Sequence, residues 1–258
     1  MIRVENLSFS YSKKSPNILN NVSFSLEKGE VGVLLGQNGS GKTTLFRCIS
    51  GQEKHYSGKI IIGSKDLSSL NANEKAKLIA CVPQLSSLES LSVYDTVLLG
   101  RLPYYRFSPS KHDHEIVEKI LEQLGLTSIA MKSVSHISGG ERQKAMIGMA
   151  LAQESSIIIL DEPTNNLDIN AESDLFELLS NLSKSLQISI LFSTHNIAFG
   201  YRYAQKFFLL DHDGNIESGD QSIITSDTLS HIFQRDIHVE SFKDDIIIRS
   251  RRETHENQ

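Results

Sequence analysis

The chain has 258 residues, of which 39% are hydrophobic, 22% charged and 7% aromatic, enough apolar mass for one large domain or two small ones and too much for a disordered segment. Its 26 Lys and Arg against 31 Asp and Glu give a formal charge of −5, which excludes a strongly basic nucleic-acid binder. Two cysteines, Cys48 and Cys81, are too few for a disulfide framework or a conventional zinc site, and both read as small buried hydrophobes.

Met1–Phe9 reads as a strand, and Ile18–Leu26 as a second one ending at the turn Glu27–Glu30. Val31–Leu35 is a short apolar strand that enters a glycine-rich loop. Thr43–Ser50 then has helical character and stops at Gly51, a natural C-terminal cap. Gly58–Gly63 is an isoleucine-rich strand. From roughly Leu85 to Leu151 the character changes, and Ile116, Val117, Ile120, Leu121 and Leu124 recur on one helix face. Strand Ile157–Leu160, helix Asn170–Leu186, strand Ile188–Ser193 and a helix from near Asn196 follow. That alternation predicts a mainly parallel sheet covered by helices. Arg249–Gln258 is polar and is expected to fray. No apolar run approaches a membrane span, and Met1–Asn6 lacks the pattern of a secretory signal, so a soluble cytoplasmic chain is expected.

Gly36-Gln37-Asn38-Gly39-Ser40-Gly41-Lys42-Thr43-Thr44 fills every fixed position of G-x-x-x-x-G-K-S/T, between an apolar strand and a helix. Its glycines let backbone N–H groups converge on phosphate oxygens, and the helix dipole adds to the attraction. Lys42 supplies charge for the β- and γ-phosphates, and the Thr43 hydroxyl is a ligand for Mg²⁺. The strand Ile157–Leu160 ends in Asp161-Glu162. Alternation sends the two carboxylates to different sides, which suits Asp161 to the metal and Glu162 to an attacking water as general base. Ser138-Gly139-Gly140-Glu141 opens a helix with a capping-box pattern and bare glycines that suit an anion. His195 follows a strand at the sheet edge where ligands of open α/β folds sit. Gln84 and Tyr11 are ordinary residues by themselves. His112-Asp113-His114 reads as a solvated helix start, and Asp211-His212-Asp213-Gly214 as a hairpin turn rather than a calcium loop.

Taken in order, Gly36–Thr44, Gln84, Ser138–Gln143, Asp161–Glu162, Asp168 and His195 resemble the ATP-binding-cassette family of ATPases over about residues 1 to 245. The resemblance implies an α/β fold: a P-loop NTPase (RecA-like) core with an N-terminal antiparallel β subdomain and an inserted α-helical subdomain at about 85–155. It leaves 246–258 as a polar tail. It further implies ATP and Mg²⁺ as cofactors and a head-to-tail homodimer that sandwiches two nucleotides. The Ser138-Gly139-Gly140 segment of one copy then touches the phosphate held by Lys42 of the other. Tyr11 would stack on adenine, Gln84 would sense Mg²⁺ and water while meeting the membrane partner, Asp168 would cross the dimer, and His195 would contact the γ-phosphate.

Val97-Leu98-Leu99-Gly100-Arg101-Leu102-Pro103-Tyr104, with Ser108 and a helix from about Asp113, resembles the importer ATPases for iron–siderophores, haem and vitamin B12. This implies separate permease subunits in the membrane, an extracytoplasmic binding protein reached indirectly, no nucleic-acid partner, and a peripheral position on the cytoplasmic face. The competing reading is a soluble cassette acting on DNA or ribosomes, or a cassette for export or another cargo. The single cassette, the short stretch between Gln84 and Ser138 and the acidic charge count against the DNA or ribosome reading. Gly148-Met149 departs from the family's usual Ala-Arg, which puts the surface contacts of that helix in question.

Overall fold

A computed structural model of the chain describes residues 1–12, 14–82, 90–165, 167–242 and 245–250. The N-terminal part forms β1 (Ile2–Phe9), β2 (Leu19–Leu26), β3 (Val31–Leu35), α1 (Lys42–Ser50), β4 (Ser57–Ile62), β5 (Lys65–Asp66), α2 (Ala72–Ala76) and β6 (Ile79–Val82). Three helices follow: α3 (Val93–Leu99), α4 (Lys111–Gln123) and α5 (Gly139–Ala152). The rest is β7 (Ile157–Leu160), α6 (Ile169–Leu186), β8 (Ser189–Ser193), α7 (Ile197–Tyr203), β9 (Lys206–Leu210), β10 (Ile216–Gly219), α8 (Ser226–Phe233), β11 (Ile237–Phe242) and β12 (Asp245–Ser250).

The central sheet has the order β10-β9-β3-β8-β7-β6, parallel throughout except for β10 at its edge. A smaller antiparallel sheet, β2-β1-β4-β5, lies beside it. This is the expected α/β architecture with an antiparallel β subdomain and inserted helices. The central strands are buried on both faces, so they read as continuous apolar runs. Their side chains still alternate between two cores. Val33, Leu35, Ile158, Leu160, Ile190 and Phe192 face the helices α3 to α8. Leu34, Ile157, Ile159, Leu191 and Phe208 face α1 and the small sheet.

The inserted helices cross closely. Gly148 is buried, and a Cβ there would come within 2.9 Å of Val97 and 3.1 Å of Leu124. The departure at Gly148 therefore concerns a helix crossing, not a surface. Gly100 sits tighter still, with a hypothetical Cβ at 2.0 Å from the Met149 carbonyl oxygen.

Two expectations need correction. Residues 246–250 are not a tail, because β12 pairs antiparallel with β11 through Ser250. Ile246 is buried against the main core there, and Arg202 forms an ion pair with Asp245. His112-Asp113-His114 is not a solvated unit either. Asp113 is 4% exposed, closes the cap of α4 with Ser110, and receives Arg101 Nε at 2.9 Å. His114 Nδ1 lies 2.6 Å from the Tyr94 hydroxyl. Asp211–Gly214 does make the β9–β10 turn, with Gly214 at φ 80°.

Candidate nucleotide-binding site

The strand β3 delivers the chain into the loop Gly36–Thr44, and α1 takes it away. Gly36 has no room for a side chain, since a Cβ would sit 2.5 Å from the Leu210 carbonyl oxygen. Gly41, at φ 106°, is the N-cap of α1 and offers no side-chain cap, and the first turn holds no acid. The leading N–H groups and the positive helix end are therefore unneutralised. Ser40 Oγ is buried without a hydrogen-bond partner. Lys42 is 5% exposed, and its Nζ donates to the carbonyls of Gly36 at 2.8 Å and Gln37 at 3.0 Å. Burial lowers its pKa from the usual lysine value, against the pull of Glu162 and Asp161. A cavity of about 260 Å³ opens here, lined by Asn38, Gly39, Gly41, Lys42, Thr43, Thr44, Ile18 and Glu162. A capless helix end, an orphaned hydroxyl and a lysine held only by carbonyls fit an anionic phosphate chain.

The acids sit at the end of β7. Asp161 continues the side of Ile157 and Ile159 and so meets α1, where Thr43 Oγ1 donates to its Oδ2 at 2.7 Å. Ser193 Oγ donates to its Oδ1 at 2.6 Å. A carboxylate beside a hydroxyl is an oxygen donor set that fits Mg²⁺. Glu162 adopts φ 51°, and its N–H donates to Ser193 Oγ at 2.9 Å. Its Oε1 lies 2.7 Å from His195 Nε2, and Oε2 accepts from Asn165 Nδ2 at 2.6 Å. Burial raises the Glu162 pKa, but the Asn165 hydrogen bond, His195 and Lys42 outweigh it, leaving the carboxyl below its ordinary range. Lys42, Thr43, Asp161, Glu162 and His195 thus form one connected cluster.

Other expected residues lie apart. Tyr11 is 55% exposed, touches Thr44 Oγ1 through its hydroxyl at 3.2 Å, and meets Phe9 edge-on. Ser138 and Glu141 form the full capping box of α5, with Glu141 Oε2 accepting from Ser138 N at 2.8 Å. Asp168 caps α6 by accepting from Ala171 N at 2.9 Å. Gly140 faces Ala171, so these two helix starts are neighbours, and Ser138, Gly139, Gly140 and Glu141 do not line the phosphate cavity. Gln84 lies outside the described residues. Sequence reasoning missed Ser193 and the contact from Asn165; the signal for Ser193 is a polar residue ending an otherwise apolar strand.

Residues 19–165 match the ABC transporter family. The chain belongs to that family. The cassette is 34% identical to the probable siderophore transport system ATP-binding protein YusV of Bacillus subtilis, over 92% of this chain and 87% of that one. It superposes on a chain of an inward-facing ABC transporter assigned to the metal-chelate type, with a TM-score of 0.84, 31% identity and 98% of both chains covered. A cassette solved as a post-hydrolysis dimer bound to ADP and phosphate gives a TM-score of 0.72 at 25% identity, covering 86% of this chain and 99% of that one. The protein is accordingly an ATP-binding-cassette ATPase.

Proposed function

We propose that this cassette is the ATP-hydrolysing subunit of a metal-chelate importer. It would sit at the cytoplasmic face of the membrane on separate permease subunits and work as a head-to-tail pair. Among the described residues no helix is long and apolar enough to cross a membrane, which agrees with dependence on such subunits. The names of the relatives, one a siderophore system and one a metal-chelate transporter, support the cargo class.

One observation carries the reading. The phosphate cavity is built from Gly36–Thr44 and Glu162, while the glycine-bearing start of α5 and the neighbouring start of α6 lie outside it. Each copy thus owns a cradle and, elsewhere, a capped helix start bearing Gly139 and Gly140, which a second copy would bring together.

Within the cradle, Lys42 exchanges the Gly36 and Gln37 carbonyls for phosphate oxygens. Thr43 and Asp161, with Gln84 by family resemblance, would hold Mg²⁺, which neutralises phosphate charge when bound. Glu162 accepts a hydrogen bond from the attacking water, and His195 beside it reaches the γ-phosphate. Catalysis here is positioning and electrostatics. Tyr11 would stack on adenine.

The pairing is tested by the light-scattering mass of Glu162→Gln with and without Mg·ATP. A shift from monomer to dimer is expected; a nucleotide-bound monomer that stays monomeric beside its permease overturns it. The cargo is tested by uptake of labelled ferric siderophore, haem and cobalamin in cells lacking the gene. Unchanged uptake of all three overturns the cargo class.

A further inference from the structure

Ser193 ends β8 and is fully buried, yet the strand before it, Ile190-Leu191-Phe192, is apolar. A hydroxyl in that position costs stability unless it is partnered. It is partnered twice, and both partners belong to the acid pair. Ser193 Oγ donates its proton to Asp161 Oδ1 at 2.6 Å and accepts the Glu162 N–H at 2.9 Å. A serine hydroxyl has one proton to give and lone pairs to receive, so the two contacts are compatible. The register explains the encounter, because β7 and β8 run parallel with Leu160 beside Phe192, and the next residues along are Asp161 and Ser193.

The consequence for Asp161 is specific. Its Oδ1 is occupied by Ser193 and its Oδ2 faces Thr43 Oγ1 at 2.7 Å. The carboxylate therefore cannot turn about its own bond without losing the Ser193 contact. Glu162 is held in the same way at its backbone, where φ 51° is a conformation that side chains with a Cβ adopt at a cost. The hydrogen bond from its N–H to Ser193 closes that turn and aims the side chain toward His195.

We propose that Ser193 is the positioning residue of the site: it presents Oδ2 of Asp161, beside Thr43, as the metal-facing oxygen and fixes the turn that aims Glu162. The inference rests on the reading of Asp161 as a metal ligand. Ser193 itself touches neither nucleotide nor metal in this scheme. Its removal should act through Asp161 on metal affinity and through Glu162 on turnover, while leaving the phosphate cradle intact.

The experiment compares wild type, Ser193→Ala, Ser193→Thr and Asp161→Asn. It uses Mn²⁺ binding followed by electron paramagnetic resonance in the presence of ATP, binding of a fluorescent ATP analogue in EDTA, and steady-state ATPase rates. Ser193→Ala should raise the Mn²⁺ concentration for half-saturation by about 10- to 100-fold, the usual effect of removing a ligand's hydrogen-bond partner. It should also lower kcat, with metal-free nucleotide binding within about twofold of wild type. Ser193→Thr, which keeps the hydroxyl, should restore both. Circular dichroism and melting establish that each variant is folded.

Wild-type Mn²⁺ titration in a folded Ser193→Ala, alongside a large loss in Asp161→Asn, overturns the role of Ser193 and leaves the metal reading standing. Wild-type titration in Asp161→Asn overturns the metal reading and this inference with it. An equal loss of metal-free nucleotide binding in Ser193→Ala shows general damage to the cradle and also overturns the proposal.

Discussion

The carboxylate of Glu162 and the imidazole of His195 meet at 2.7 Å, with the Glu162 side chain 19% exposed and that of His195 45% exposed. The acid is shielded and the histidine reaches toward solvent. With Asn165 on the other oxygen, Glu162 is held as an anion and aimed from both sides. Glu162→Gln keeps the shape of the side chain and removes its basicity. It should bind ATP as wild type does and lose about 10²- to 10⁴-fold in turnover, as read by phosphate release. Lys42→Ala should instead lose nucleotide affinity, because it removes the one buried cation of the cradle.

With Glu162 as the base proposed above, its lowered pKa should set the acid side of the rate profile. A depressed carboxyl stays charged above its folded pKa and loses its base function only as pH falls through that value. Asn165→Ala removes a hydrogen bond that lowers the pKa, so the acid limb of kcat against pH should move upward relative to wild type. An unmoved limb would show that the limb reports another group.

Asp113 carries a separate pH signature, in stability. Burial pushes its pKa up, but Ser110 and Arg101 together hold it down at about 2 against an ordinary 3.8. Its contribution is complete above about pH 4 and disappears as pH falls through about 2. Asp113→Ala leaves buried Arg101 with Glu154 as its remaining carboxylate partner and should cost about 2–3 kcal/mol near neutrality. The gap from wild type in urea melts should narrow toward pH 2, where about half of the wild-type carboxyl is itself protonated.

Gly100→Ala drives a methyl into the Met149 carbonyl, which belongs to the backbone of α5 and cannot rotate away. Parting α3 from α5 should cost about 1–3 kcal/mol in denaturant melts. Metal-free ATP binding by the isolated cassette should change little, since neither residue lines the cavity of the phosphate loop, whereas Met149 lines the adjoining cavity with Thr43 and Asp161.

Ser138→Ala removes half of the capping box of α5 and should cost about 1 kcal/mol of stability. Its effect on ATPase should appear only where two copies meet. Metal-dependent nucleotide binding to the monomer should match wild type, while turnover of the assembled transporter falls.

The central strands were legible in the sequence because Val31–Leu35 and Ile157–Leu160 are unbroken apolar runs between polar turns, and the structure keeps those bounds. The phosphate loop was legible because its fixed glycines, lysine and threonine each answer a separate need of one phosphate-binding turn. The short α2 and α3 were not, since five and seven residues give a helix period too little length to show. The end of β12 was misread because Arg249 and Ser250 are polar, although Ile246 and Ile248 before them alternate inward. Within the site, Thr43, Asp161 and Glu162 were named from type and order. Ser193 and Asn165 were not, because their roles depend on which strand lies beside β7 and how the turn after it folds.

The two-core arrangement of β7 makes its chemistry a matter of parity. Odd-numbered positions Ile157 and Ile159 lead to Asp161 and α1, and even-numbered positions lead to Glu162. Inserting or deleting one residue within Ile157–Leu160 would leave the run just as apolar, and still able to lie in the sheet. It would nevertheless interchange the two carboxylates, sending the glutamate toward Thr43 and the aspartate away. Changing one of those isoleucines to another apolar residue of similar size should therefore disturb the site far less than changing their number.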